Sequence, residues 1–195
     1  MGQIAMSEKN RSRTATRGRT AGRVGAAGLA LVAAAGLGLT GAGAAQAAGN
    51  ATAPTCTTGG LTASFGKKLG GGMNHQGVVL KLKNTSGHTC LLRGYPGLGL
   101  EDSGHRTLTS TAQWGSTYYA KDPGKKTLTL RNGESAEAVI AWTHANAGTP
   151  DAKQATYLQV TPPANTKHKT LKFPNWVDNG RLQVTALAPH VALNG

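Results

Sequence analysis

Acidic residues, aromatic residues and cysteine are all scarce in this sequence. Only 8 of its 195 residues are Asp or Glu, against 21 Lys and Arg, and 5% are aromatic. Glu101 and Asp102 are adjacent, so on a strand they point to opposite faces and cannot act together as acid and base. Glu134 and Glu137 diverge on a strand in the same way. We therefore expect exposed, solubilising carboxylates, and we predict no catalytic residue.

Sequence motifs of known reaction centres are also missing. There is no Gly-x-Ser-x-Gly elbow, and the segment 66–72 lacks the residue order of a phosphate-binding loop, which predicts a flexible hairpin loop. The 6 histidines are scattered singly. Only Met73 and His75 have a spacing that suits copper, and surface histidines in loops are the more ordinary interpretation. We predict no metal site and no cofactor.

Long apolar runs are absent after residue 39, but one precedes it. Six Lys and Arg residues between positions 9 and 23 are followed by an apolar run from Val24 to about Leu39 and by the small-x-small sequence Ala45-Gln46-Ala47. This order predicts a secretory signal peptide, residues 1–47, cleaved after Ala47. An uncleaved anchor is the alternative, although glycines interrupt the run. The cleaved product is predicted to be secreted, with no stable membrane anchor.

Cleavage would leave 148 residues with 15 Lys and Arg against 7 Asp and Glu, a formal net charge of +8. We predict a flexible lead over residues 48–55, one domain over residues 56–190 and a tail over residues 191–195. A basic surface favours anionic partners, so an anionic cell-wall polymer is one predicted partner and another extracellular protein is the other. Nucleic acid is not expected. Simple solubility is the plainer explanation of the charge, because the cations are scattered.

Both cysteines, Cys56 and Cys90, lie after the predicted cleavage site. An even number of cysteines in an oxidising compartment predicts a disulfide. Closing that loop would contribute about 3–4 kcal/mol in the chain-entropy model. Two free thiols, for catalysis or metal binding, are the alternative.

From Cys56 onward the hydrophobic period is two, and no sustained helical stripe occurs. Over 76–84 Val78, Leu80 and Leu82 face one way, which predicts a half-buried strand. The segment 126–131 alternates too, and Asn132-Gly133 predicts that it forms a hairpin with the strand that follows. Leu80 and Trp142 are predicted core residues. Eight or nine short strands with regular turns predict an all-β sandwich or small barrel. The other predicted strands are 61–65, 91–93, 98–101, 107–113, 155–161, 170–173 and 181–187.

Two further surface features have competing interpretations. Trp114, Tyr118 and Tyr119 near Lys121 could stack sugars or bases, although core and rim packing is the commoner use of such residues. Asn50 and Asn84 each begin a triplet that matches a glycosylation acceptor, a pattern frequent by chance.

The segments 77–86, 89–97, 128–136, 141–142 and 158–163 together resemble domain-of-unknown-function family 4232, found in secreted and lipid-anchored proteins of actinobacteria. The most specific element is Cys-x-x-x-Gly-Tyr-Pro-Gly, here Cys90 to Gly97. The resemblance extends from Cys56 to about Pro189. It implies an immunoglobulin-like antiparallel β-sandwich and no settled activity.

The chain departs from that family in one respect. Members often carry a second cysteine pair, which would fall near 152–153 and Asp178, where this chain has none. We therefore expect residues 150–180 to be more mobile than the rest. Uniform protection in hydrogen exchange would reject this.

Taken together, these observations predict a secreted, non-enzymatic binding module of the cell envelope or the exterior. An extracellular hydrolase or a copper carrier is the alternative. A protein-interaction module that uses an exposed strand edge is a third option.

Overall fold

Alternation of apolar and polar side chains builds ten β-strands in the computed structural model, which describes residues 52–194. The predicted signal peptide, its cleavage site and the start of the lead lie outside the described residues. Within them no helix could cross a membrane. The strands are β1 (Leu61–Gly70), β2 (His75–Asn84), β3 (Cys90–Arg93), β4 (Gly97–Glu101), β5 (Thr107–Leu108), β6 (Thr111–Trp114), β7 (Thr127–Leu130), β8 (Ser135–His144), β9 (Lys153–Thr161) and β10 (Lys169–Val184).

The strands form one large curled sheet and one small sheet. The large sheet has the order β1-β2-β8-β10-β9-β4-β5, with β6 paired parallel to β10 and every other pair antiparallel. The small sheet pairs β3 with β7. Curling brings Phe65 on β1 within 6.1 Å of Phe173 on β10, although β2 and β8 separate those strands in the sheet. The all-β prediction is confirmed, with ten strands rather than eight or nine.

The main core lies inside the curl, and β3 and β7 contribute to it. Leu80 is fully buried and Trp142 is 7% exposed, which confirms both predicted core residues. A second apolar cluster covers the opposite face of β2 and β8, where Val79 and Ala141 meet Tyr119 and Val191. Residues 78–80 of β2 and most of β8 are therefore buried on both faces, whereas the sequence had predicted only a half-buried strand over 76–84.

The predicted hairpin of β7 and β8 is wrong, although its turn forms. Glu134 N donates to Arg131 O at 3.0 Å across Asn132-Gly133, yet β7 pairs with β3 while β8 pairs with β2 and β10. The end of β2 separates them. Buried Asn84 accepts from Gly133 N at 2.7 Å, donates its own N–H to Glu134 O at 2.8 Å, and donates Nδ2 to Leu130 O at 2.9 Å. Asn84 is thus structural, and its burial leaves no room for a glycan; Asn50 lies outside the described residues.

The gap between the predicted strands 170–173 and 181–187, and most of the predicted loop 66–72, are strand instead. Asn179 and Gly180 both have positive φ, 51° and 64°, but they form an irregularity inside the 16-residue β10 rather than a turn between two strands. Similarly, β1 continues to Gly70 past a bulge between Phe65 and Lys68. A bulge absorbs the positive φ or the extra residue without ending the strand.

Cys56 and Cys90 are joined in a disulfide, with Cα atoms 4.9 Å apart, as predicted. Just before it, Leu91 N donates to Pro54 O at 2.8 Å, so part of the predicted lead is tied to β3. At the other end, Asn194 N donates to Tyr119 O at 2.8 Å and Val191 is 3% exposed. The bridge and these contacts fasten both ends of the described chain to the sheets.

The segment 150–180 contains β9 and most of β10. Lys153 lies opposite Val177 in the β9–β10 register, so the two regions where the resemblance implies a second cysteine pair lie on neighbouring strands. Leu158 and Phe173 bury this segment in the main core. Its predicted mobility stays a prediction.

Candidate functional site

An exposed aromatic stack with cations around it is the most distinctive surface of the described residues. The rings of Tyr95 and Trp114 lie parallel, 5.2 Å apart with an interplanar angle of 2°. Trp114 is 60% exposed although it is a large apolar side chain. Lys125 Nζ lies 5.6 Å from the Tyr95 ring centre and 5.5 Å from that of Trp114. Both distances are within the range of a cation–π contact.

Local backbone structure sets the position of each ring. Tyr95 lies in the turn between β3 and β4, which the positive φ of Gly94, 106°, makes possible. Gly94 O also accepts from Leu187 N at 2.9 Å. Trp114 ends β6 and lies opposite Val184 in the parallel pair with β10. One ring of the stack therefore lies on a strand, and the other lies in a turn that is hydrogen-bonded to the segment after β10.

The carboxylate of Asp122 holds the Tyr95 ring of the stack in place. Tyr95 Oη donates to Asp122 Oδ2 at 2.6 Å, and Ala186 N donates to Asp122 Oδ1 at 2.8 Å. Asp122 N in turn donates to Ser116 Oγ at 3.0 Å. The hydrogen bond to Asp122 raises the pKa of Tyr95, with smaller contributions from burial and from the carboxylate charge. The phenol stays neutral and its ring is held under Trp114.

The stack borders a shallow depression of about 420 Å³ that is lined by Arg93, Tyr95, Trp114 and Lys125 and contains no carboxylate. Among the described Lys and Arg residues, salt bridges engage Lys81, Arg106 and Arg131, and neither Arg93 nor Lys125. A flat aromatic face binds the apolar face of a ring, and two unpaired cations bind anionic groups. The depression can therefore hold a ring that carries or adjoins negative charge.

Trp114 packs apart from Tyr118 and Tyr119, whose rings meet edge to face with centres 5.1 Å apart. Trp114 stacks on Tyr95, whereas Tyr118 stacks on His75 with ring centres 4.2 Å apart. Tyr119 is 8% exposed and packs in the second cluster. Trp114 is exposed enough to act as a platform, which stays a prediction, whereas Tyr119 is used for core packing. Sequence reasoning missed Tyr95, although its Gly-Tyr-Pro-Gly motif was the available signal.

Glu101 corrects the prediction of exposed carboxylates. It is 3% exposed, it accepts from Gln159 Nε2, and its Oε2 lies 2.8 Å from His105 Nδ1. His168 Nε2 lies 3.8 Å from Oε1. Burial alone would raise the pKa of Glu101, but the hydrogen bonds and the nearby histidine charges lower it below its ordinary value. Two histidines that are distant in sequence thus meet at one buried carboxylate.

Glu137 is the second buried carboxylate, with 8% exposed surface. Lys81 Nζ lies 3.0 Å from Oε1 and His190 Nδ1 lies 2.8 Å from Oε2. Burial works to raise the pKa of Glu137, and the contacts with Lys81, Val191 N and His190 lower it overall. The prediction failed here because strand alternation does not show that the second cluster covers the outer face of β8. Glu134, by contrast, is exposed as expected.

Met73 and His75, the possible copper ligands, have different surroundings from each other. Met73 is 84% exposed, and the His75 ring is stacked on Tyr118. Across residues 52–194, no group of three or more His, Cys, Asp or Glu residues is placed to hold a metal ion. His75 does line a polar cavity of about 210 Å³ together with Asp178 and Arg181.

Comparison with known proteins identifies the family. A model of the family described as "Domain of unknown function (DUF4232)" matches residues 56–188. No curated protein and no solved structure matches the chain. The match covers more than half of the chain and includes the disulfide, the Tyr95 turn and nearly all of both sheets. The chain therefore belongs to the DUF4232 family, as the resemblance had predicted.

Proposed function

We propose that this protein is a secreted, non-enzymatic module that binds an anionic, sugar-containing polymer of the cell envelope. The observation that carries the proposal is the Tyr95–Trp114 stack with Lys125 and Arg93 beside it. The exposed Trp114 ring offers apolar surface whose burial by a partner is favourable, and the hydrogen bond to Asp122 holds the Tyr95 ring in place before binding. The sequence pattern of residues 1–47 and the disulfide support an extracellular location.

Polymer binding should depend on both the ring and the charge. The test is a titration of the purified domain with a soluble teichoic-type polymer, followed by calorimetry, with neutral dextran as the uncharged comparison. We expect Trp114→Ala and Lys125→Ala each to weaken binding about 5- to 10-fold, since a stacking or cation–π contact contributes about 1–1.5 kcal/mol. Added salt should weaken binding of the unaltered protein.

Two matched variants serve as controls. Tyr118→Ala removes another exposed aromatic ring, and Lys83→Ala removes an exposed lysine of β2; neither should change the affinity. An affinity for the polymer that neither added salt nor Trp114→Ala changes would contradict the proposal. Shortening of the polymer during incubation would contradict its non-enzymatic part.

A further inference from the structure

A second, chemically different cavity opens where the large sheet curls onto itself. It has a volume of about 400 Å³, within the ~300–1,000 Å³ range of small-molecule sites. Its walls come from β1, β2, β8 and β10, so it is separate from the Tyr95–Trp114 surface. Its exposed lining is mostly apolar. The proposal below goes beyond polymer binding and does not depend on it.

Three aromatic rings form the apolar part of this cavity. Trp142 and Phe173 meet edge to face with ring centres 4.7 Å apart, and Phe65 lies 6.1 Å from Phe173. Trp142 and Phe173 are almost fully buried and Phe65 is half-buried. Val78 completes the wall. The main core thus reaches the solvent at this point rather than being closed over.

Irregular backbone keeps the cavity open. The bulge of β1 falls between Phe65 and Lys68, and the β9–β10 register shifts between Lys172 and Asn175. Pro174, inside the second shift, has no N–H to donate to a neighbouring strand. Regular strands at both places would let β1 and β10 approach further, and bulges often re-aim side chains beside binding sites.

The charged side chains that line the cavity are both positive. Lys68 and Lys172 line it and are exposed, and no carboxylate lines it. Neither lysine takes part in a salt bridge within the described residues. Trp142, which lines the cavity, has a buried indole Nε1 with no hydrogen-bond partner among the described residues, and a buried donor without a partner calls for an explanation.

From this combination we infer a binding site for an amphipathic carboxylate, a molecule with an apolar acyl or aryl body and one anionic group. The body would lie against Phe65, Phe173 and Trp142. The carboxylate would accept hydrogen bonds from Lys68 and Lys172. Its two oxygens offer about four acceptor positions, enough for both ammonium groups and an indole N–H.

The probe is decanoate, titrated into the full folded domain below its micelle-forming concentration and followed by calorimetry. Acetate shares its head group, and decyltrimethylammonium shares its chain with the opposite charge. We expect saturable binding of decanoate alone. The pair Lys68→Gln with Lys172→Gln should weaken it about tenfold, which corresponds to about 1.4 kcal/mol. The matched pair Lys83→Gln with Lys121→Gln should not.

A second pair of variants separates this site from the proposed polymer site. Phe65→Ala should weaken decanoate binding because it removes one wall, whereas Trp114→Ala should leave it unchanged. Equal binding of decanoate and decyltrimethylammonium would overturn the inference, and so would an affinity that the Lys68 and Lys172 variants leave intact. Dimerisation in place of decanoate binding would assign the cavity to a second copy of the chain and overturn it too.

Discussion

At the residue scale, a comparison of Glu101 with Glu134 shows how much a side chain's role depends on its neighbours. Glu101 and Glu134 have the same chemistry, yet one is 3% exposed between Gln159 and two histidines while the other is exposed in a turn. Strand alternation predicts on which side of the sheet each side chain lies. It does not predict which other residues pack against that side. The partners of Glu101 lie up to 67 positions away in the sequence, so only tertiary contact reveals them.

Glu101→Gln should destabilise the protein by about 1–3 kcal/mol near neutral pH, because hydrogen bonds to a buried charged group are lost. The pKa of Glu101 is lowered in the folded state. Its carboxylate therefore contributes stability above its unfolded pKa of about 4.3, and that contribution is lost as the pH falls through the lower folded value. Urea unfolding at about pH 7 and about pH 3 measures this.

The difference in unfolding free energy between the unaltered protein and Glu101→Gln should shrink on acidification. Glu134→Gln is the control and should stay within about 0.5 kcal/mol of the unaltered protein. A difference that persists at the lower pH would show that packing, not charge, is what the substitution removes.

At the element scale, β10 organises the large sheet, since it pairs with β6, β8 and β9. The sequence predicts its two halves as separate strands because Asn179-Gly180 has the composition of a turn. Inside the fold, the irregularity at these residues lets one strand serve different neighbours along its length. Similarly, the Asn132-Gly133 turn was predicted correctly while the partners of its two strands were not, because Asn84 of a distant strand takes the hydrogen bonds between them.

Gly180→Ala should destabilise the protein by about 2–5 kcal/mol. The glycine has a φ of 64°, and an added Cβ would collide with the carbonyl oxygen of Thr109, just before β6. Left-handed backbone costs about 1–2 kcal/mol for a residue with a Cβ, and the clash adds about 1–3 kcal/mol. Thermal or urea unfolding of the purified variant measures the loss.

Gly133→Ala is the matched control for that variant. Gly133 also has a positive φ, 89°, but an added Cβ would meet nothing within 4 Å. It should therefore show the conformational cost alone, about 1–2 kcal/mol. Equal losses in the two variants would contradict a steric role for the contact between Gly180 and Thr109.

At the scale of the whole molecule, the disulfide connects the start of the domain to the small sheet. Cys56 precedes β1 of the large sheet, and Cys90 begins β3 of the small sheet. Both cysteines are buried in the main core. The bridge therefore restricts the unfolded chain and also holds the two sheets around one core.

Replacing both cysteines, Cys56→Ala with Cys90→Ala, should lower the free energy of unfolding by about 3–4 kcal/mol in the chain-entropy model. Urea unfolding monitored by far-ultraviolet circular dichroism measures it. Reductant should produce a similar loss in the unaltered protein and no change in the double variant. If the reductant does not lower the unfolding midpoint of the unaltered protein, the prediction is contradicted.

The sequence by itself determined the strand-forming period, most turn positions, the cysteine pair, the basic character and the family. Each of these depends on neighbouring residues, on composition or on a contiguous motif. Tertiary structure alone decided the strand partners, the burial of Glu101 and Glu137, the stacking of Tyr95 on Trp114 and the cavity at the curl. These features depend on contacts between residues far apart in the chain, and alternation along one strand carries no information about what covers either face.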